Sequence, residues 1–270
     1  MDYPQLAFIG GGNMAEALIG GLCAKGHPPK TLRVADPDPA RRRSLADSHS
    51  VTTGEDNAEI ARGSAAVVLA VKPQVMDPVL ASLSEAVGEH MTVISVAAGI
   101  TLGRLRQGLP AAGAIIRAMP NTPALHGAGI TGLCAEPGCS DGPRELASLV
   151  LGAGGETVWI EDEALMDAVT AVSGSGPAYF FALTEHLAAA GERAGLPSGI
   201  AQALARQTAI GAGEMLKLAS EPAGELRRRV TSPGGTTAAA LDSLTADDFE
   251  TVIGRAVEAA VQRGRQLGAK

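Results

Sequence analysis

The chain has 270 residues, 46% of them hydrophobic and 19% charged, a balance that supports buried cores and excludes disorder as the ground state. A net charge of -7, with basic runs no longer than Arg41–Arg43 and Arg227–Arg229, excludes the clustered basic face that nucleic-acid phosphates require, and both runs read as solvated helix faces. The longest purely apolar stretch, Ala65–Val71, is too short to span a bilayer. The opening Met1–Gln5 carries no basic region, so no secretory leader is expected. Cys23, Cys134 and Cys139 are odd in number and form no CxxC pair, which suits thiols in a reducing, cytoplasmic compartment. Aromatics are only 3% of the chain, so the core is expected to be aliphatic.

Strands are expected at Gln5–Ile9, Thr31–Ala35, Ala65–Val71, Met91–Val96 and Ala114–Ala118, separated by helices such as Asn13–Lys25, Pro39–Ser48 and Pro78–Val87. The run Ala66–Val71 is apolar without alternation, as in a strand covered on both faces, so the alternation points to βαβ units and a parallel sheet. A further strand pair is expected at Gly129–Ala135 and Glu156–Ile160, around a helix at Gly142–Leu151. Beyond Glu161 no convincing strand recurs. Leu165, Val169, Val172, Phe180, Leu183 and Leu187 mark one helix face, interrupted at Pro177, where a kink or restart is expected. Helices follow at Ser198–Ala219, Thr236–Ser243 and Asp247–Leu267, with Ser198 and Asp247 as N-caps. The fold class is therefore an α/β Rossmann-type N-terminal domain, residues 1–160, followed by an all-α domain, residues 161–270.

Directly after the first strand stands Gly10-Gly11-Gly12-Asn13-Met14-Ala15, a G-x-G-x-x-A turn opening a helix. Gly10 permits the tight turn, Gly12 lets the backbone approach a pyrophosphate, and Ala15 lets helix and strand pack closely. The helix N-terminus, at Asn13 and Met14, offers free N–H groups to phosphate. Asp36 ends the second strand, where a carboxylate accepts from a ribose diol and favours NAD(H). Arg41, Arg42 and Arg43 follow closely, and an arginine there can grip the 2′-phosphate of NADP(H) instead, so both cofactors stay open. Ala70-Val71-Lys72-Pro73 ends a strong strand at the carboxyl edge, where such sheets bind ligands; Lys72 reads either as a ligand contact or as a solvated loop lysine.

Three more segments are unusual for loops: Arg117–Pro123, Ser173–Tyr179 and Thr231–Thr237. Thr231–Thr237 reads as a turn into a helix N-terminus, in which converging N–H groups suit a carboxylate without a basic side chain. The order of Phe8–Met14, Ala70–Pro73, Met119-Pro120-Asn121-Thr122-Pro123, Ser173–Tyr179 and Ser232-Pro233-Gly234-Gly235-Thr236-Thr237 resembles the pyrroline-5-carboxylate reductase family over the whole chain. The resemblance implies reduction of a cyclic imino acid to proline with NAD(P)H. It also implies a helical C-terminal domain that forms an intertwined homodimer, often assembled further into a decamer. By the same resemblance Gly10, Gly12, Asn13, Met14, Asp36, Ala70, Val71, Lys72, Pro73 and Asn121 serve the cofactor. Ser232, Gly234, Gly235, Thr236 and Thr237 hold the substrate carboxylate, Thr170 and Ser175 lie near the reacting ring, and Glu221 lies near its nitrogen.

Absences agree with this. The related β-hydroxyacid dehydrogenases use a helical-domain lysine as acid/base, whereas Lys217 is the only lysine between Lys72 and Lys270 and stands outside Ser173–Tyr179. No metal site is expected, because the five histidines form no metal-like pair. Ketone reduction needs a proton donor for the developing alkoxide, while an iminium ion is already protonated and needs only hydride. Two alternatives are another imine or β-hydroxyacid reductase on the same plan, and a catalytically silent dinucleotide-binding sensor.

Overall fold

The computed structural model describes residues 3–268. It contains one eight-stranded sheet in the order β3-β2-β1-β4-β5-β6-β7-β8. The strands are β1 (Leu6–Ile9), β2 (Leu32–Ala35), β3 (Thr52–Gly54), β4 (Ala66–Leu69), β5 (Thr92–Ser95), β6 (Ala114–Met119), β7 (Gly129–Ala135) and β8 (Gly155–Trp159). Helices α1 (Asn13–Ala24), α2 (Pro39–His49), α3 (Asn57–Ala61), α4 (Met76–Leu83) and α5 (Leu102–Gly108) intervene among the first six strands, and α6 (Asp141–Leu151) joins β7 to β8. Neighbouring strands are parallel except at β6–β7, where Arg117 stands opposite Cys134 and the chain reverses. The parallel sheet expected from the sequence is present across β1 to β6, and β7 joins it antiparallel. The connection between β6 and β7 is a short 3-10 turn, Thr122–His126, too short for the helical crossover that a parallel return requires.

Every residue of β1, β4 and β5 is buried; β1 and β4 are unalternating apolar runs, and β5 buries Thr92 and Ser95 on either side of Val93 and Ile94. Two apolar clusters cover the two faces of the sheet. One gathers Ile9, Leu69 and Val93 with Leu80 and Leu105; the other gathers Leu6, Phe8 and Val68 with Leu18, Leu22 and Leu151.

The later helices are α7 (Met166–Val169), α8 (Gly176–Arg193), α9 (Ser198–Leu218), α10 (Ala223–Arg229), α11 (Thr236–Ala246) and α12 (Phe249–Gly268). Contacts divide the chain into two compact units. One runs to Ser175 and resumes at Ala260, and the other is Gly176–Ala259. The break expected at Pro177 is present: a π-turn spans Thr170–Gly174, and α8 starts at Gly176. Both expected N-caps are corrected. Ser198 is already the first helical residue, with its hydroxyl donated to Glu192, and Asp247 closes α11 as its C-cap. In the second unit α8 and α9 pack together through small residues, with Ala188, Ala201 and Ala205 buried. Helices α10 and α11 have no buried residue.

Candidate active site

The sheet order reverses between β1 and β4, the position at which open α/β sheets bind ligands. Gly10 leaves β1 at φ +92°, and a Cβ there would lie 2.7 Å from the Ala70 carbonyl oxygen, so glycine is required. Its N–H donates to the Ala35 carbonyl at 2.8 Å, and the Ala70 N–H donates to the Ile9 carbonyl at 2.8 Å. The exits of β1, β2 and β4 are thereby tied together.

Gly12 is the N-cap of α1 and supplies no capping side chain, and a Cβ on it would meet nothing within 4 Å. Glu16 makes the first intrahelical bond, to the Gly12 carbonyl, which leaves the N–H groups of Asn13, Met14 and Ala15 available. The positive end of α1 therefore faces open space beside a bare backbone. Ala15 is fully buried against the sheet, as the motif requires. These residues fit a dinucleotide pyrophosphate.

The Asp36 carboxylate accepts from the Gly11 N–H at 2.7 Å and from the Asp38 N–H at 2.9 Å, which holds it at the turn. The three arginines differ from one another. Arg41 donates to the Gly11 carbonyl and pairs with Glu16 at 2.7 Å, so it neutralises an acid that would otherwise repel phosphate at the first turn of α1. Arg42 donates to the carbonyls of Asp36, at 2.6 Å, and Pro37, at 3.0 Å. Arg43 is exposed. Lys72 is also exposed, at the start of the 3-10 turn Pro73–Val75.

Two of the singled-out segments meet. The Asn121 side chain donates to the Ser173 carbonyl at 3.1 Å and accepts from the Ile130 N–H at 3.0 Å, and it is 9% exposed. A Cβ at Gly174 would lie 2.8 Å from the Met119 methyl, so the small residue admits that contact. Asn121 thus braces the turn after β6 against the π-turn. In that turn the Ser175 N–H closes on the Thr170 carbonyl at 2.8 Å, and the Thr170 hydroxyl donates to the Met166 carbonyl at 2.9 Å. With its proton committed, Thr170 presents lone pairs to its surroundings.

Within the second unit, Gly234 takes φ +69° and Gly235 caps α11 with extended backbone and no capping side chain. Gly235 donates its own N–H to the Ser232 carbonyl at 3.0 Å, and the first intrahelical bond of α11 is Ala239 to Gly235. The N–H groups of Thr236 and Thr237 are therefore free to face an anion. Glu221 is exposed and pairs with Arg229 at 2.7 Å. Glu225 is held by Arg228, whose guanidinium keeps its carboxyl below the usual range.

Sequence reasoning missed the π-turn and the Glu16–Arg41 pair. It also gave no role to Arg117, which is buried on β6 between Glu163, at 3.0 Å, and Asp167, at 3.7 Å. The signal for the last was present: an arginine inside an apolar strand requires a buried counter-charge. Among the described residues no group of three or more His, Cys, Asp or Glu is placed to hold a metal ion, and no helix is long and apolar enough to cross a membrane.

Residues 163–267 match the family described as pyrroline-5-carboxylate reductase dimerisation, and residues 5–99 match the NADP oxidoreductase, coenzyme F420-dependent family. The pyrroline-5-carboxylate reductase of Pseudomonas aeruginosa is 46% identical over 99% of this chain and 98% of its own length. That of Synechocystis is 46% identical over 98% of this chain and 99% of its own. Among solved structures, the pyrroline-5-carboxylate reductase of Coxiella burnetii superposes with a TM-score of 0.94 at 36% identity, covering 98% of this chain and 99% of the other. The Plasmodium falciparum pyrroline carboxylate reductase with NADP bound gives 0.84 at 30% identity, covering 99% of each. With this likeness running from end to end over an intact dinucleotide turn, the chain belongs to the pyrroline-5-carboxylate reductase family and is an NAD(P)H-dependent oxidoreductase of proline biosynthesis.

Proposed function

We propose that this chain reduces the imine carbon of 1-pyrroline-5-carboxylate to give L-proline, with its work divided between residues 1–160, which bind the dinucleotide, and residues 161–270, which bind substrate and dimerise. The observation that carries this reading is the pair of uncapped helix N-termini, at α1 behind Gly12 and at α11 behind Gly235. Each is an anion site without a basic side chain. Gly10, Gly12, Asn13 and Met14 take the pyrophosphate, Asp36 the adenosine ribose, and Ala70, Val71, Lys72, Pro73 and Asn121 line the nicotinamide end. Ser232, Gly234, Gly235, Thr236 and Thr237 take the substrate carboxylate.

When bound, NAD(P)H supplies the hydride. The protein's contribution is orientation, which is worth on the order of 10 kcal/mol when two reactants are held in line. Thr170, with its proton donated to Met166, accepts a hydrogen bond from the ring N–H. Ser175 stands at the close of the same turn, and Glu221 adds negative charge near the nitrogen while shared with Arg229.

The protein is a homo-oligomer through its dimerisation region. The working unit is a dimer, since the helices of the second unit leave Phe180 67% and Phe181 68% exposed in a single chain. Light scattering distinguishes this dimer from a decamer built of five such dimers. The enzyme works in the cytoplasm, in keeping with its three free cysteines.

The test is cofactor oxidation with 1-pyrroline-5-carboxylate, using NADH and NADPH in parallel, on the parent and on Gly235→Val. A Cβ at Gly235 would stand 3.1 Å from the Ser232 carbonyl oxygen and crowd the cradle. KM for the imino acid should rise at least about tenfold, with dinucleotide binding intact. An unchanged KM in a folded variant removes this loop from the substrate site.

A further inference from the structure

Arg117, Met119 and Asn121 fall at alternate positions along β6 and its exit, so their side chains leave the same face of the sheet. All three meet the segment that forms the π-turn. Arg117 reaches Glu163 and Asp167 just ahead of it, Met119 touches Gly174, and Asn121 holds the Ser173 carbonyl. Both ends of the turn are therefore gripped from one strand.

Arg117 hydrogen-bonds Glu163 at 3.0 Å and stands at ion-pair range, 3.7 Å, from Asp167. Arg117 is 6% exposed, and Glu163 also accepts the Leu102 N–H at 2.8 Å, which fixes that carboxylate from a second side. Gly264 of α12 closes over Asp167, where a Cβ would lie 2.9 Å from the carboxylate. The planar guanidinium presents one nitrogen to each carboxylate, Nη1 to Glu163 and Nη2 to Asp167, a fixed spread that a compact ammonium does not reproduce. A π-turn is a rare departure from the α-helix around it, and it persists where its surroundings over-determine it.

We propose that Arg117, acting with Met119 and Asn121, is a positioning residue that fixes the π-turn and thereby aims the Thr170 hydroxyl and Ser175 at the reacting ring. This rests on the reading that Thr170 and Ser175 serve that ring. Arg117 itself touches neither substrate nor cofactor. The device sets how well the reactants are aligned, with little effect on how tightly they bind.

The experiment uses the full-length enzyme and compares Asp167→Asn, Asn121→Ala, their double variant, Arg117→Lys and Thr170→Val. Asp167→Asn keeps the shape of the side chain and removes one counter-charge, so it tests the grip even if Arg117→Lys fails to fold. For each variant kcat, KM for 1-pyrroline-5-carboxylate, NADPH binding stoichiometry and Tm are measured. Asp167→Asn and Asn121→Ala are each expected to lower kcat about tenfold per binding-competent site, with KM within about threefold. The double variant is expected to lose about tenfold to twentyfold, where independent losses would multiply to about a hundredfold. A purely structural role would lower Tm and the competent fraction and leave kcat per site unchanged, which overturns the proposal. Full multiplication of the two losses also overturns it. If Thr170→Val lowers kcat while the grip variants do not, the positioning role fails and the reading of the turn stands. If Thr170→Val leaves kcat at the parental value, that reading fails and the positioning role falls with it.

Discussion

In the sheet unit, the strands at the switch point have no exposed residue, and Phe8 and Leu18 are wholly enclosed by side chains of the same chain. In Gly176–Ala259, Phe180, Phe181, Ile200 and Leu204 are all more than half exposed, and the buried residues of α8 and α9 are Gly176 and three alanines. Fully burying a phenylalanine or leucine side chain is worth about 1.5–3 kcal/mol, so a helical layer that leaves such residues in water lacks a core of its own. The difference is one of where the partner surface comes from. The sheet unit closes on itself with aliphatic residues, whereas the helices carry an apolar face suited to a second copy.

The largest effect is expected from Phe181→Glu, which places a charge on the apolar face. It should dissociate the oligomer and reduce turnover more than about a hundredfold, as loss of a central interface anchor does. NADPH binding by the sheet unit should survive, which fluorescence titration measures. Turnover that survives in a dissociated variant would mean that the helical unit is complete in one chain.

Two glycines of the dinucleotide turn should respond in opposite ways. Gly10→Ala, at φ +92° and against the Ala70 carbonyl, should destabilise the sheet unit by about 2–4 kcal/mol, read as a fall in Tm. Gly12→Val, facing open space, should leave Tm unchanged and weaken NAD(P)H binding at least about tenfold. Reversal of this pattern would place the phosphates elsewhere.

Cofactor choice is a smaller effect. Asp36→Ala removes a negative charge and a diol acceptor together and should raise the ratio of NADPH to NADH efficiency by about tenfold. Glu16→Gln should free Arg41 from its ion pair and raise the same ratio by about threefold. An unmoved ratio in the Asp36 variant would separate that carboxylate from the ribose.

The smallest effect concerns pH. Burial pushes the His27 imidazole below its usual value of 6.5, so the folded chain resists its protonation while the unfolded chain accepts it. Stability from this group is present above that value and is lost as pH falls through it, down to the lower folded pKa. Thermal melts between pH 7.5 and about pH 5 should show Tm declining in the parent and less so in His27→Gln. Equal slopes would exclude His27 as the cause.

Most of the sheet was legible because its strands are short, mainly aliphatic runs, such as Leu6–Ile9 and Ala66–Leu69, separated by helix-period segments. Three pieces were not. Thr52–Gly54 is a three-residue edge strand, Asn57–Ala61 spans little more than a helical turn, and Leu102–Gly108 carries two glycines, so none holds a period long enough to read. The turn at Gly10–Gly12 and the start of α11 behind Gly235 were legible as local structure, because glycine positions and helix starts are written locally. The binding of Arg117 to Glu163 and Asp167 joins residues 46 and 50 positions apart, and no local pattern encodes a pairing of that range. The same limit applies to Asn121 and Ser173.

The central contrast is tested most directly by following mass and specific activity of the parent enzyme together as it is diluted, with light scattering and a cofactor-oxidation assay on the same samples. The expected result is an oligomer whose specific activity is constant until it dissociates and then falls with the dimer population. A stable monomer with undiminished activity would contradict it.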